Sequence, residues 1–344
     1  MSTVIVAMDV GGTNARARVA EVRDGENAVP VRDDIVTQAR SARELYEFAG
    51  GVVRSAEEYG TVATSVVAVA GPVTDGRSRM SNWTHDPVLD VAELVHAGLP
   101  AEATDLVNDV VAGAWGALAR LERLDRVEAL SHHAGAPDLR ASGAGSLVYL
   151  APGTGLGASA LVHHGLGRRK AVAVGCEAQH TQIPRFAGEI GQVAEVAERD
   201  MGYAPSWEDL VSGRGLVRIY DALGSMAGGP PLDESAGDAR AADIAAAALA
   251  GDDPQAVAAV NVFYRSLGHF AQTLALSYLP CSVVVIGGTS TARNLPLVHT
   301  SGFAETFAGH RRFGELLSEI ALFAVGGDVN LEGGIWLAAH SGWQ

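Results

Sequence analysis

A glycine turn with a strand on either side occurs twice in this chain, and the duplication constrains the fold more than any other feature. The first copy is Asp9-Val10-Gly11-Gly12-Thr13-Asn14, after the apolar run Val4 to Met8. The second is Pro152-Gly153-Thr154-Gly155-Leu156-Gly157, after Leu147 to Ala151. In a Rossmann or P-loop site the glycine turn opens a helix. Here Ala15 to Val22 alternates small or apolar residues with charged ones, the period of a strand, and Ala158 to Val162 is also strand-like. Each unit therefore reads as strand, tight turn, strand. The tip of such a hairpin offers backbone N–H groups, a hydroxyl and an amide to an anion. Two tips of this kind suit a single polyphosphate gripped from two sides.

A chain of 344 residues is long enough for two domains with sizeable cores. Its 48% hydrophobic and 19% charged content fits a soluble α/β protein. The net charge of −15 argues against a nucleic-acid partner or an anionic membrane, both of which need basic patches. It leaves room for a nucleotide in a locally favourable site. Cys176 and Cys281 make neither a disulfide framework nor a zinc set, and read as buried thiols. No apolar stretch approaches the roughly 20 residues of a membrane helix. The first strand begins without a basic region or cleavage site before it, so a cytoplasmic protein is expected.

The early strands are expected at 3–8, 15–22, 29–37 and 62–70, the last a continuous apolar run of the buried kind. Between the third and fourth, Ser41 and Glu44 form a capping box for a helix with Leu45, Phe48, Ala49, Val52, Val53 and Ala56 at helical spacing, closed by Gly60. Asp105 to Val107 reads as a short strand, Asn108-Asp109 sits at its end, and Val110 to Leu121 as a helix. Residues 134–145 form a glycine-rich loop. After Arg185 the chain turns mostly helical, with a capped start at Ser206 and Asp209, a break at Gly228 to Pro231 and long helical stretches at 236–250 and 257–278. Val283 to Ile286 is a buried strand entering Gly287-Gly288, Ile320 to Val325 a late strand, and Gly333 to His340 the last helix. The hairpin-led order restarts near Gly145. Two structurally similar α/β halves follow, with the cleft between them as a ligand site.

Asp109, between strand and helix, has two readings of similar weight. It is an N-cap, for which Asp is favoured, or a general base, which needs a carboxylate within hydrogen-bond reach of an attacking oxygen. Asn108 can donate and accept, or serve only as a turn residue. Glu177 and His180 at i,i+3 would share a helix face. They read as a solvated surface pair, or as half of a carboxylate–histidine metal set whose second copy is missing. Glu208 would lie in the first turn of a helix, where the dipole favours a carboxylate.

Taken in order, these segments resemble the bacterial glucokinases, hexokinase-like members of the actin, Hsp70 and sugar kinase superfamily. The resemblance rests on Asp9 to Arg16, Ala68 to Val73 with Ser81-Asn82, Leu106 to Asp109, Pro152 to Gly157, Glu177 to His180, Glu208 to Leu216 and Ile286 to Gly288. It spans nearly the whole chain. It implies a two-domain actin-like ATPase (ribonuclease H-like) α/β fold with an interdomain cleft, residues 1–110 plus about 322–344 forming the smaller domain and 111–321 the larger. It implies transfer of the ATP γ-phosphoryl group to the 6-hydroxyl of glucose, with Asp109 as base and Asn82, Asn108, Asp109, Glu177, His180 and Glu208 on the sugar. The phosphates would meet Gly11, Gly12, Thr13, Asn14, Gly153, Thr154, Gly155 and Gly157, the adenosine Gly287 and Gly288, and Mg²⁺ would be organised by Asp9 through water. Related glucokinases commonly form homodimers, so a homodimer is expected.

The pattern is broken in two places. Gln179 stands where the family has glycine, and the tryptophan of Ser81-Asn82-Trp83-Thr84-His85-Asp86 comes early. A kinase for another hexose, mannose or an N-acetylhexosamine, is therefore the nearest rival. A sugar-sensing regulator without catalysis is opposed by Asp9 and Asp109, and a DNA-binding repressor by the absence of a helix-turn-helix before the first strand. A scaffolding ATPase would leave the sugar motifs unexplained. The cysteine-rich zinc loop of a related kinase and repressor group is excluded by the two distant cysteines.

Overall fold

The computed structural model describes residues 2–12, 14–23, 27–80, 83–131, 145–163, 171–228 and 238–340. Thr13, Ser81, Asn82 and all but the last residue of the loop expected over 134–145 lie outside them. The chain divides into two compact units, Met1–Arg123 with Asp328–Gln344, and Leu124–Gly327.

The first unit contains β1 (Thr3–Val10), β2 (Asn14–Arg23), β3 (Asn27–Pro30), β4 (Ile35–Gln38), α1 (Ala42–Ala56), β5 (Thr61–Val69), β6 (Val73–Thr74), β7 (Arg77–Arg79), β8 (Val88–Asp90), α2 (Val91–His96), β9 (Thr104–Asn108) and α3 (Asp109–Arg123). The main sheet runs β3-β2-β1-β5-β9, with β4 also on β2. β1 is antiparallel to β2 and parallel to β5, and β5 is parallel to β9. The strand expected over 29–37 is two short strands, because the chain bends after Pro30 and the Arg18 guanidinium forks onto both oxygens of Asp34 at 2.7 Å.

Every residue from Val4 to Val10 is buried, as a strand covered on both faces requires. On one face Val4, Val6, Met8 and Val10 pack with Leu45, Ala49 and Val52 of α1. Ser41 caps α1 through the Glu44 N–H, while the Glu44 carboxylate reaches one residue further back than a capping box, to the Arg40 N–H. Gly60 does not end this helix, which is capped at Glu57. It is glycine because a Cβ there would stand 2.1 Å from the Ser2 carbonyl oxygen. The opposite face, with Ile5, Ala20 and Val66, is covered by Ala338 of the terminal helix Val329–His340.

That helix crosses α3 at backbone contact. A Cβ on Gly116 would fall 2.0 Å from the Val329 carbonyl oxygen, and one on Gly333 1.7 Å from that of Ala112. Trp115 and Trp336 stack beside the crossing at 4.2 Å, and the buried Arg120 pairs with Glu332. This packing holds α3 in the first unit.

The second unit contains β10 (Val127–Ala129), β11 (Ser146–Pro152), β12 (Leu156–His163), β13 (Ala171–Cys176), α4 (Glu189–Met201), α5 (Trp207–Leu210), α6 (Gly213–Met226), α7 (Asp238–Ala250), α8 (Pro254–Ser277), β14 (Cys281–Ile286), α9 (Thr289–Arg293), α10 (Leu295–Thr300), α11 (Phe303–Ala308), α12 (Gly314–Ser318) and β15 (Ala321–Val325). Its sheet runs β10-β15-β14-β11-β12-β13. β11 and β12 form the antiparallel hairpin, and β14 and β15 add in parallel beside β11. The path β13-β12-β11-β14-β15 thus repeats β3-β2-β1-β5-β9, hairpin first, as the duplicated glycine turn requires. The long helix α8 presents Val260, Leu267, Phe270, Ala271 and Leu274 to a core that includes Val148, Leu150, Val284 and Ile286. Burial pushes the Cys281 thiol up to about 12, so it stays protonated and inert at neutral pH. Among the described residues no helix is long and apolar enough to cross a membrane.

The helix crossing yields a direct test. Gly116→Ala is expected to destabilise the protein by about 1–3 kcal/mol, since two backbones must separate. Gly51→Ala, inside α1 with only the Arg54 guanidinium at 3.9 Å, is expected to be neutral or to stabilise by up to ~1 kcal/mol. Thermal denaturation of both variants reads the contrast.

Candidate active site

In the first unit the turn between β1 and β2 is closed by the Gly11 N–H on the Asn14 carbonyl oxygen at 3.0 Å. The register places Asp9 opposite Arg16, and Arg16 Nη2 donates to Asp9 Oδ2 at 2.7 Å. Asn330 Nδ2 donates to Asp9 Oδ1 at 3.3 Å, and the other arm of Arg16 pairs with Asp328. Asp9 is 9% exposed, so its carboxylate is held by protein rather than by bulk water. Burial works against the Arg16 charge, but Asp9 and then Asp328 outweigh it and hold the guanidinium above its ordinary range. Among the described residues, a Cβ on Gly11 would stand in ordinary contact with the Asn14 carbonyl oxygen at 3.6 Å.

Asn108 ends β9 and Asp109 begins α3. Asn108 Oδ1 accepts from the Val110 and Val111 N–H groups at 3.1 and 3.4 Å, the bonds of an N-cap. Its Nδ2 donates to the Gly71 carbonyl oxygen at 3.0 Å. The capping task therefore falls to Asn108, and Asp109 stands one residue inside the helix with Oδ1 on the Val110 N–H at 2.9 Å.

In the second unit Glu177 precedes a 3-10 turn over Ala178–His180, the tighter of the helical turns that bring i and i+3 to one face. The two side chains meet, with His180 Nε2 3.4 Å from Glu177 Oε2. Gln179 Nε2 donates to the same oxygen at 2.6 Å. The segment after this turn is stitched to the start of α5 by Trp207 N–H on Thr181 O and Ile183 N–H on Pro205 O. The full capping box of Ser206 and Asp209 starts α5 there, as the sequence predicts. Glu208, in the first turn of α5, sends Oε2 to the Leu156 N–H at 2.9 Å.

That bond seats Glu208 on the second glycine turn. Pro152 pairs with Leu156, and the Gly153 N–H closes the tip onto the Gly155 carbonyl oxygen at 2.7 Å. A Cβ on Gly153 would meet the Gly155 carbonyl oxygen at 4.0 Å, an ordinary contact. At Gly155 a Cβ would lie 2.7 Å from Glu208 Oε2, so this glycine makes room for the carboxylate. Gly157 lies within β12, opposite Ala151. Gly213 N–H and Ser290 Oγ donate to the carbonyl oxygens of Gly153 and Pro152, each at 2.7 Å. Gly287 is glycine because a Cβ would fall 2.3 Å from Tyr149 Oη, and Gly288 takes φ +105°, where side chains are strained.

A sequence model of the family described as Glucokinase matches residues 6–340. The chain belongs to the glucokinase family. Among curated glucokinases it is 32% identical over 320 residues to one from Chromobacterium violaceum, covering 92% of this chain and 84% of that one. It is 29% identical over 326 residues to one from Stenotrophomonas maltophilia, covering 94% and 91%. Among solved structures, the glucokinase from Balamuthia mandrillaris in complex with glucose superposes with a TM-score of 0.79 at 24% identity, over 98% of this chain and 94% of that one. The fold is thus that of the glucokinases, the actin-like ATPase fold.

Sequence reasoning passed over the residues that hold the glucokinase motifs in place. Arg16 could have been found, since a tight hairpin pairs it with Asp9. Asn330 and Asp328 could not, being more than 300 residues away in the chain. Among the described residues no cluster of three His, Cys, Asp or Glu side chains could hold a metal. A Mg²⁺ held on nucleotide phosphates needs only one or two carboxylates plus water, and Asp9 beside a bare hairpin tip fits that donor set.

The obstacle at Gly155 is the tip of a flexible side chain. Gly155→Ala is therefore expected to displace Glu208 and spare the hairpin. The thermal midpoint should move by only a few degrees; with Glu208 on the sugar, the role proposed below, KM for glucose should rise roughly tenfold or more, the size of a hydrogen bond to a charged group. Steady-state kinetics should also show little further loss when Glu208→Ala is added.

Proposed function

We propose that this chain is a glucokinase: it transfers the γ-phosphoryl group of ATP to the 6-hydroxyl of glucose, giving glucose 6-phosphate and ADP. The observation that carries the reading is the Glu208 carboxylate seated on the second glycine turn, which ties a sugar acceptor to a phosphate-type backbone tip by one hydrogen bond. ATP, the second substrate, supplies the phosphoryl group.

Asp109 accepts the proton of the 6-hydroxyl as its oxygen attacks. Standing in the first turn of α3, it is anchored by the Val110 N–H and favoured as an anion by the helix N-terminus. Its work is largely positional, because phosphoryl transfer is loose and proton removal comes late. Asn108 fixes the start of the helix and keeps one amide hydrogen for a hydroxyl. Glu177, His180 and Glu208 accept from or donate to the remaining hydroxyls. Gly11, Gly12 and Gly153 present bare backbone to the phosphates. Asp9 would hold Mg²⁺ through water, because Arg16 and Asn330 already engage its two oxygens.

ADP release with Mg-ATP, measured with and without glucose, tests the reaction. Turnover should depend on glucose, and Asp109→Asn should lower kcat by roughly 10²–10⁴-fold with KM for glucose changed only a few-fold. Mannose and N-acetylglucosamine in the same assay rank the rival substrates. ADP release indifferent to every hexose would sink the reading. In a separate titration, Asp9→Asn should raise the Mg²⁺ needed for half-maximal turnover several-fold, with glucose binding by calorimetry unchanged.

A further inference from the structure

Gln179 lies between two residues assigned above to the sugar, and that assignment leaves it without a task. It is 6% exposed, although the Glu177 and His180 side chains on either side are 53% and 55% exposed. Its Nε2 donates to Glu177 Oε2 at 2.6 Å. Its Oε1 is shut off from solvent and accepts from no described group. A buried amide oxygen without a donor is unfavourable, so an opposing interaction fixes the amide this way round. Turned over, Oε1 would face the Glu177 carboxylate oxygen, two acceptors at hydrogen-bond distance. The carboxylate dictates the amide, and the amide in turn fixes the plane of the carboxylate.

The two oxygens of Glu177 are thereby made unequal. Oε2 receives Gln179 Nε2 and lies 3.4 Å from His180 Nε2. No described residue donates to Oε1. A carboxylate free to rotate accepts hydroxyls from many directions, whereas a clamped one accepts from few. A site built to pair with a particular hydroxyl rejects analogues that lack it far more strongly than an apolar pocket rejects a change of size.

We propose that Gln179 is a positioning residue for sugar specificity: it holds Oε2 of Glu177 so that Oε1 is presented to one hydroxyl of the hexose at one angle. This rests on Glu177 being a sugar ligand, as in the function proposed above.

The test is the kcat/KM profile of the full-length enzyme on glucose and each monodeoxyglucose, for wild type, Gln179→Leu and Glu177→Gln. Wild type should lose roughly 10–100-fold on the deoxy sugar missing the hydroxyl that Glu177 accepts, the range of a hydrogen bond to a charged group. In Gln179→Leu that loss should shrink to within about threefold while losses at other positions persist, which is the signature of coupling between the amide and that hydroxyl. KM for glucose should rise roughly tenfold with kcat within about twofold, and the thermal midpoint should hold or rise because the unpaired amide oxygen is gone. Gln179→Met, apolar and more flexible, replaces leucine if the turn does not tolerate branching.

A deoxy-sugar profile identical to wild type in the Gln179 variants, with Glu177→Gln erasing the same penalty, overturns this inference alone. If Glu177→Gln also leaves the profile untouched, Glu177 is not a sugar ligand and the underlying assignment falls with it. Wild type without glucose-dependent turnover overturns both.

Discussion

The hydrogen bond from the Leu156 N–H to the carboxylate of Glu208 ties the start of α5 to the second glycine turn, and the geometry of the second unit's hairpin tip is built around it. It exists because Gly155 has no side chain to push the carboxylate away. Around it the β11–β12 hairpin collects three further donors. Gly213 at the start of α6 donates to Gly153, Ser290 in α9 to Pro152, and Gly287 after β14 to Leu150. The donors come from two parts of the chain, the start of α6 and the segment that joins β14 to α9, and each uses a backbone oxygen of the hairpin. A tip left floppy would present its amides in many orientations, and an anion would have to order them on binding. Here that ordering is already present in the fold, which is the condition for backbone dipoles to stabilise charge effectively.

The first unit solves the same problem with charge rather than with backbone carbonyls. Arg16 stands across the hairpin from Asp9 and reaches on to Asp328, so residues from both ends of the chain meet at one guanidinium. Because Asp9 is nearly buried, an unpaired carboxylate there would be costly. Arg16 removes that cost and fixes the carboxylate at the same time. The arrangement also requires the terminal helix to lie on the sheet, and it does so through the glycine contact between Gly116 and Gly333. The C-terminal segment is therefore part of the site's support, with Asn330 touching Asp9 directly.

Local chemistry explains what could be read from the sequence. The hairpins were legible because residue alternation continues on both sides of the glycines, and α1 and α5 because Ser41 and Ser206 stand before helical periodicity. The repeat of the hairpin-led strand order in both sheets followed from the same signals. What was not legible is set by distant partners. Gly60, Gly155 and Gly287 each look like turn residues, yet the atoms that demand glycine belong to Ser2, Glu208 and Tyr149. The sequence offers Asp109 as the cap, and only the hydrogen bonds from the Val110 and Val111 N–H groups show that Asn108 takes it. The Glu177–His180 spacing suits an α-turn and a 3-10 turn equally, and the tighter one forms where the following residues must bridge to Pro205 and Trp207.

A chain with a net charge of −15 that binds a triphosphate faces a long-range field of the wrong sign. That field is screened within about 8–10 Å at ordinary ionic strength, so the contest is decided by groups in direct reach of the phosphates. Lysine-rich cradles would win it by charge alone. In the function proposed above that reach belongs to backbone N–H groups of the glycine turns, while the nearby guanidinium of the first unit, Arg16, is committed to two carboxylates, Asp9 and Asp328. Such a site recognises the shape and hydrogen-bonding of phosphate more than its total charge. The carboxylates proposed for the sugar, Glu177 and Glu208, each accept on Oε2 from a neutral donor of the protein, Gln179 Nε2 and the Leu156 N–H. A neutral clamp positions a carboxylate without the full charge compensation that a hydrogen-bonded arginine brings, and Arg214, 3.9 Å from Oε1 of Glu208, stands beyond hydrogen-bond distance.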